Sequence, residues 1–206
     1  MIERKFITEK VRDWRIKKYL SESLNKSAFS HANIQKTPLG VKIIIHTSKP
    51  GLVVGSGGQN IRTLSETLQK KFKLDNPQIE VSEVKTPELD AQIMSERIAF
   101  QLERWGVQRF KKIGYSSVES VMKAGAQGVE IKLAGKVPGA RATRWRFTEG
   151  YLPRAGPVAK TGVSFGASRL QTKPGITGIK VRIMLPETRM PDEIIIKEDV
   201  NESQKS

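Results

Sequence analysis

Lys49-Pro50-Gly51-Leu52-Val53-Val54-Gly55-Ser56-Gly57-Gly58 is the stretch on which the reading of this chain turns. Pro50 and Gly51 open a brief apolar turn, which ends in three glycines around Ser56; Gln59 and Asn60 follow. By itself a G-x-x-G pattern marks only a tight turn. The familiar enzymatic glycine motifs fail on the residues. A Walker loop needs Gly-Lys-Ser/Thr before its helix, the dinucleotide fingerprint needs a glycine three positions beyond Gly57, and a nucleophile elbow needs a glycine where Val54 stands.

Outward from the loop, residues 59–72 read as a helix with Ile61, Leu64, Leu68 and Phe72 along one stripe and Arg62, Glu66, Lys70 and Lys71 off it. Asn76-Pro77 stops that helix, and residues 79–84 read as a strand. Upstream, residues 8–24 carry Ile16, Leu20 and Leu24 at fourfold spacing behind Thr8, taken as the helix cap. Two short strands, 31–36 and 41–47, flank the turn signal Pro38-Leu39-Gly40. Helix, strand, strand, short helix, G-x-x-G, helix, strand is the order of a type II KH domain, an RNA-binding fold. In it the glycine loop lets a nucleic-acid backbone come close to main-chain N–H groups at a helix start. The expected phosphate contacts are the loop Gly55, Ser56, Gly57 and Gly58, with Lys49 upstream and Arg62 one turn beyond.

At Pro87 the pattern restarts. Residues 88–105 form an amphipathic run with Met94, Ile98, Leu102 and Trp105 on one face, and a second helix carries Phe110, Val118, Val121 and Met122 before Gly125. From Gly128 the period becomes two: Val129, Ile131 and Leu133, then Trp145 and Phe147, then Ile179, Val181 and Ile183 alternate with largely basic neighbours. The fold class is α+β: a KH domain over residues 1–86, two helices with an antiparallel sheet over 87–185, and an acidic, flexible tail over 186–206. If the helices cover the apolar side of the sheet, Lys132, Lys136, Arg144, Arg146, Lys180 and Arg182 share the open side. Between Lys132 and Arg182 the chain holds eleven basic residues and one acidic residue, Glu149. Such an asymmetry repels itself unless a polyanion neutralises it.

Composition points the same way. The 206 residues include 36 Lys plus Arg against 21 Asp plus Glu, a formal net charge of +15, and the pI near 10.1 suits nucleic acid or an anionic surface as partner. No apolar run approaches the ~20 residues of a membrane span, and residues 1–10 carry charge throughout where a signal peptide would have an apolar core. Without a cysteine there is no thiolate metal site and no sign of an oxidising compartment, so a cytoplasmic, soluble protein is expected. His31 and His46 are read as lone histidines, not metal ligands. Parity assigns Trp145 and Phe147 to the core rather than to base stacking. No catalytic constellation emerges, and no cofactor is implied.

Asp13-Trp14-Arg15-Ile16-Lys17-Lys18-Tyr19-Leu20, the loop 49–58, Pro87-Glu88-Leu89-Asp90-Ala91, Gln101-Leu102-Glu103-Arg104, Gly125-Ala126-Gln127-Gly128-Val129-Glu130-Ile131 and Gly175-Ile176-Thr177-Gly178-Ile179-Lys180-Val181 together resemble the ribosomal protein S-three family. The likeness covers about residues 10–185. The long N-terminal extension of bacterial members is missing, which makes the chain archaeal-like. The resemblance implies a non-enzymatic place on the head of the small ribosomal subunit. The implied partners are ribosomal RNA, neighbouring ribosomal proteins and messenger RNA at its entry channel. It also implies that Lys111 and Lys112, with Arg109 close by, face incoming messenger and support unwinding of its structure. Ser56-Gly57 stands where many members carry a basic residue, so the loop itself is expected to hold phosphate less strongly. Two other readings stay open from the residues: a free-standing KH regulator of single-stranded RNA, and a lyase or nuclease using a lysine nucleophile.

Overall fold

A computed structural model describes residues 2–24, 28–37, 40–72, 74, 77–188 and 190. The expected acidic tail therefore lies mostly outside the described residues, as do Pro38 and Leu39 of the first turn. The first half contains α1 (Ile2–Ser23), β1 (Phe29–Thr37), β2 (Gly40–Thr47), α2 (Pro50–Val54), α3 (Gln59–Phe72) and β3 (Gln78–Glu83). The strands lie in the order β1-β2-β3, with β1 antiparallel and β3 parallel to β2. Ile16 and Leu20 of α1, Leu68 of α3, and Ile43 and Ile45 of β2 bury fully against one another. Helix α1 starts six residues earlier than its fourfold spacing suggests. Thr8 is no cap: it sits inside the helix, its hydroxyl donating to the Arg4 carbonyl at 2.7 Å.

The second half runs α4 (Ala91–Trp105), α5 (Phe110–Lys123), β4 (Gly128–Gly135), β5 (Thr143–Gly150), α6 (Val158–Thr161), β6 (Val163–Thr172) and β7 (Gly175–Met184). Pro87–Leu89 form a 3-10 turn, so α4 begins later than the apolar run. Its cap is Asp90, whose Oδ1 accepts from the N–H groups of Gln92 and Ile93. The four strands are antiparallel in the order β5-β4-β7-β6. Helices α4 and α5 cover one face. Beneath them Val129, Ile131, Leu133, Ile179, Val181 and Ile183 are fully buried with Met94, Ile98, Leu102 and Val121.

Strand β6 is the element that hydrophobic alternation misses. The face it turns to α4 carries small residues, because the helix comes too close for large ones. Ser164 Oγ accepts from the Ala91 N–H at 3.4 Å, and Ser168 donates to the Ser95 carbonyl at 2.8 Å. Between them, a Cβ on Gly166 would overlap the Ala91 carbonyl. Gly166→Ala should therefore destabilise the second half by about 1–3 kcal/mol through overpacking. Thermal unfolding of variant and parent measures it; equal midpoints would show that α4 can back away at no cost.

Candidate nucleic-acid interface

The register of the second sheet decides which charges meet. Lys132 lies opposite Arg146 on one side and Lys180 on the other. Glu130 lies between Thr148 and Arg182, and Arg182 in turn faces Phe165. Arg144 pairs with Ala134, Ala134 with Gly178, and Gly178 with Arg169. Residues directly opposite in a sheet project from the same face. Since the other parity is buried under α4 and α5, Lys132, Arg144, Arg146, Lys180 and Arg182 share the uncovered face with Arg169. Lys136 is exposed just past the end of β4, outside the paired rows. Phe165 is 55 % exposed on this same face. Neither Arg169 nor Phe165 carries a signal in the sequence, because both ride on β6.

The balance of eleven basic residues against one acid, Glu149, between Lys132 and Arg182 understates the acid at this face. The basic run that starts at Lys132 leaves out Glu130, which sits in the middle of the cationic face and is only 1 % exposed. Lys132 Nζ lies 2.8 Å from its carboxylate, Arg154 3.5 Å, Arg146 3.8 Å and Arg182 3.9 Å. Among the described residues neither Glu130 oxygen receives a hydrogen bond that meets both distance and angle. Charge holds the group. A buried carboxylate is tolerated only when opposite charge replaces its lost hydration, and here four cations from three strands and the loop after β5 supply it.

The glycine loop forms a second cationic locality. Gly55 (φ 72°), Gly57 (φ 59°) and Gly58 (φ 77°) all lie in the left-handed region, which glycine adopts without steric penalty. At Gly55 space is also short: a Cβ would stand 2.5 Å from Asn60 Nδ2, which donates to the Leu52 carbonyl at 3.2 Å. Nothing lies within 4 Å of a Cβ built on Gly57 or Gly58, so their outer surface is open to an approaching chain. Lys49 just before α2, Ser56 in the loop and Arg62 on α3 are exposed beside this opening.

Arg109, Lys111 and Lys112 make a third set. All three are exposed at the start of α5, which turns Phe110 and Ile113 into the core. Because α5 covers the apolar side of the sheet, this set lies apart from the charged face. Lys111 Nζ sits 5.3 Å above the Trp145 ring, whose indole N–H donates to the Val137 carbonyl at 2.9 Å. Trp145 is half-buried against Phe110 at 4.9 Å and Phe147 is 5 % exposed, so both aromatics pack rather than offer a stacking face.

The histidines are not lone. The β1–β2 register places His31 opposite His46, with the rings stacked at 4.3 Å. Burial, then the neighbouring His46, pushes the His31 pKa below the ordinary imidazole value. His31 Nδ1 lies 2.7 Å from the Ser30 hydroxyl, which donates to Asp90, the cap of α4. The pair thus belongs to a contact between the two halves. Among the described residues no three His, Cys, Asp or Glu side chains group to hold a metal.

Comparison with known proteins matches residues 15–89 to the KH domain family and residues 98–183 to the family described as ribosomal protein S3, C-terminal domain. A small ribosomal subunit protein uS3 from Methanocaldococcus jannaschii is 46 % identical over 199 residues, covering 97 % of this chain and 95 % of the relative. The chain belongs to the uS3 family. A second uS3 relative, from Methanobrevibacter smithii, is 43 % identical over 95 % of this chain and 78 % of its own length. The archaeal likeness read from the motifs agrees with both organisms. Within the family frame, the glycine loop falls in the KH match and the charged sheet face in the C-terminal match.

The loop geometry generates a test. Gly58→Asp places a side chain in open space at a backbone angle that Asp tolerates better than most residues, and Asp is acceptable near a helix start. The variant should stay folded, losing about 1 kcal/mol to the left-handed backbone angle, yet bind RNA more weakly, since a negative charge now fills the approach. Loss of the fold would make the loop purely structural; a folded variant with parental RNA affinity would place the contact elsewhere.

Proposed function

We propose that this uS3-family chain is a structural, non-catalytic constituent of the small ribosomal subunit head, ribosome-bound in the cytoplasm. It holds ribosomal RNA and abuts neighbouring ribosomal proteins. The observation that carries this reading is the sheet face of Lys132, Arg144, Arg146, Lys180 and Arg182, with Lys136 at its edge: an ordered cationic plane on a rigid scaffold. Such a plane meets phosphates wherever a folded RNA presents them, so affinity comes from charge and selectivity from shape. The open loop Gly55–Gly58, with Lys49 and Arg62, adds a backbone-level phosphate contact at the start of α3. Arg109, Lys111 and Lys112 form the edge that meets messenger RNA at the entry channel. Their separation from the sheet face supports a different RNA partner for each set.

Two double variants test these roles together. Arg144→Glu with Arg146→Glu should weaken binding to salt-washed small subunits lacking the protein. It should also reduce the magnitude of the log–log salt slope by about two, near one for each phosphate no longer neutralised. Lys111→Ala with Lys112→Ala should incorporate normally but slow elongation through a stable messenger hairpin more than on an unstructured template encoding the same peptide. Unchanged affinity of the first variant at two salt concentrations would remove the sheet face from RNA binding. Equal slowing on both templates, or none, would remove the messenger role. Selective binding of short single-stranded oligonucleotides without subunit association would favour a free-standing KH regulator.

A further inference from the structure

We infer that Glu130 is a specificity-determining positioning residue: its buried carboxylate fixes Lys132, Arg146, Arg154 and Arg182 into a preset cluster for the phosphate oxygens of folded RNA. This inference rests on the RNA-binding reading of the sheet face. The four cations come from β4, from β5, from the loop between β5 and α6, and from β7, and only one buried point brings them together. Arg154 is the informative member. It sits outside any strand, so sheet register does not place it; its guanidinium lies 3.5 Å from Glu130, which ties the loop to the charged face.

The chemistry suits a phosphate platform. Each guanidinium carries five N–H donors, and a single approach to Glu130 leaves most of them free. The side chains of Arg146, Arg154 and Arg182 are 50 %, 57 % and 41 % exposed while Glu130 itself is 1 % exposed. The carboxylate is thus the hidden hub, and RNA meets only the outward donors. Arginine forks match phosphate geometry in pairs of bonds, and shared attraction to Glu130 keeps three of them gathered where one phosphate can meet them. Without the hub, four like charges would spread apart and lose rotamer order that binding must then restore.

The sign of the effect separates this role from simple charge. Glu130→Gln keeps shape and removes one negative charge, so the face becomes more cationic by one unit. If Glu130 only neutralises its neighbours, the variant binds every polyanion more tightly. If it positions them, affinity for the specific RNA surface falls although the protein is more cationic. The test measures binding of the full chain to salt-washed small subunits lacking this protein and, in parallel, to poly(U). Glu130→Gln should bind the subunits about tenfold more weakly, the scale of re-ordering two or three cationic side chains, and poly(U) as well as the parent or better. Equal or tighter binding to both would overturn the inference. Should Glu130→Gln not fold, Glu130→Asp keeps the charge and draws the hub back by one methylene; it should lose subunit affinity while keeping that for poly(U), and parental binding to both would overturn the inference equally. A parent that does not prefer subunits over poly(U) would instead defeat the RNA-binding reading itself.

Discussion

The burial of one face of the second sheet under α4 and α5 is the constraint on which the surface of this protein depends. A strand has two sides, and once Val129, Ile131, Leu133, Ile179, Val181 and Ile183 are committed to the core, their neighbours have only one direction left. Slipping a strand by one residue would bury a row of cations, so the hydrophobic pattern fixes the charge pattern with it. Fold and binding surface are set by the same alternation. The cost is self-repulsion among like charges, which the Glu130 carboxylate relieves from inside.

That coupling explains why so much is legible from residues alone. The type II KH order follows from fourfold spacing in α1 and α3, the glycine loop and short alternating strands. The sheet face follows from parity in β4, β5 and β7. What stays hidden has physical causes. Strand β6 packs through Ser164, Gly166 and Ser168 because α4 approaches closely, and a strand built on small residues has no apolar period to detect. Arg169 and Phe165 vanish with it. Glu130 shares the parity of Lys132, so its face is legible, but its burial among four cations exists only through strand pairing and the loop after β5. His31 and His46 stand fifteen positions apart in the sequence, and their stacking exists only through the β1–β2 pairing.

The three cationic localities differ in the kind of surface they offer. The glycine loop is a concession of backbone, open at Gly57 and Gly58 because no side chain stands there. The start of α5 is a helix edge whose lysines are free on one side while Phe110 and Ile113 anchor the other. The sheet face carries its side chains on paired strands, which hold their spacing by backbone hydrogen bonds. A folded RNA with fixed phosphate positions suits a rigid plane, whereas a moving strand suits the helix edge.

Lysine reactivity gives the most direct measurement of the central claim, that RNA neutralises the sheet face. Lys180 projects from the middle of β7 beside Lys132 and is exposed in the isolated chain. Its modification by an amine-reactive reagent is compared in the free protein, in intact small subunits, and in subunits digested with ribonuclease. Protection in the intact particle that disappears after digestion is the predicted result. Reactivity as high in the intact subunit as in the free protein would contradict it.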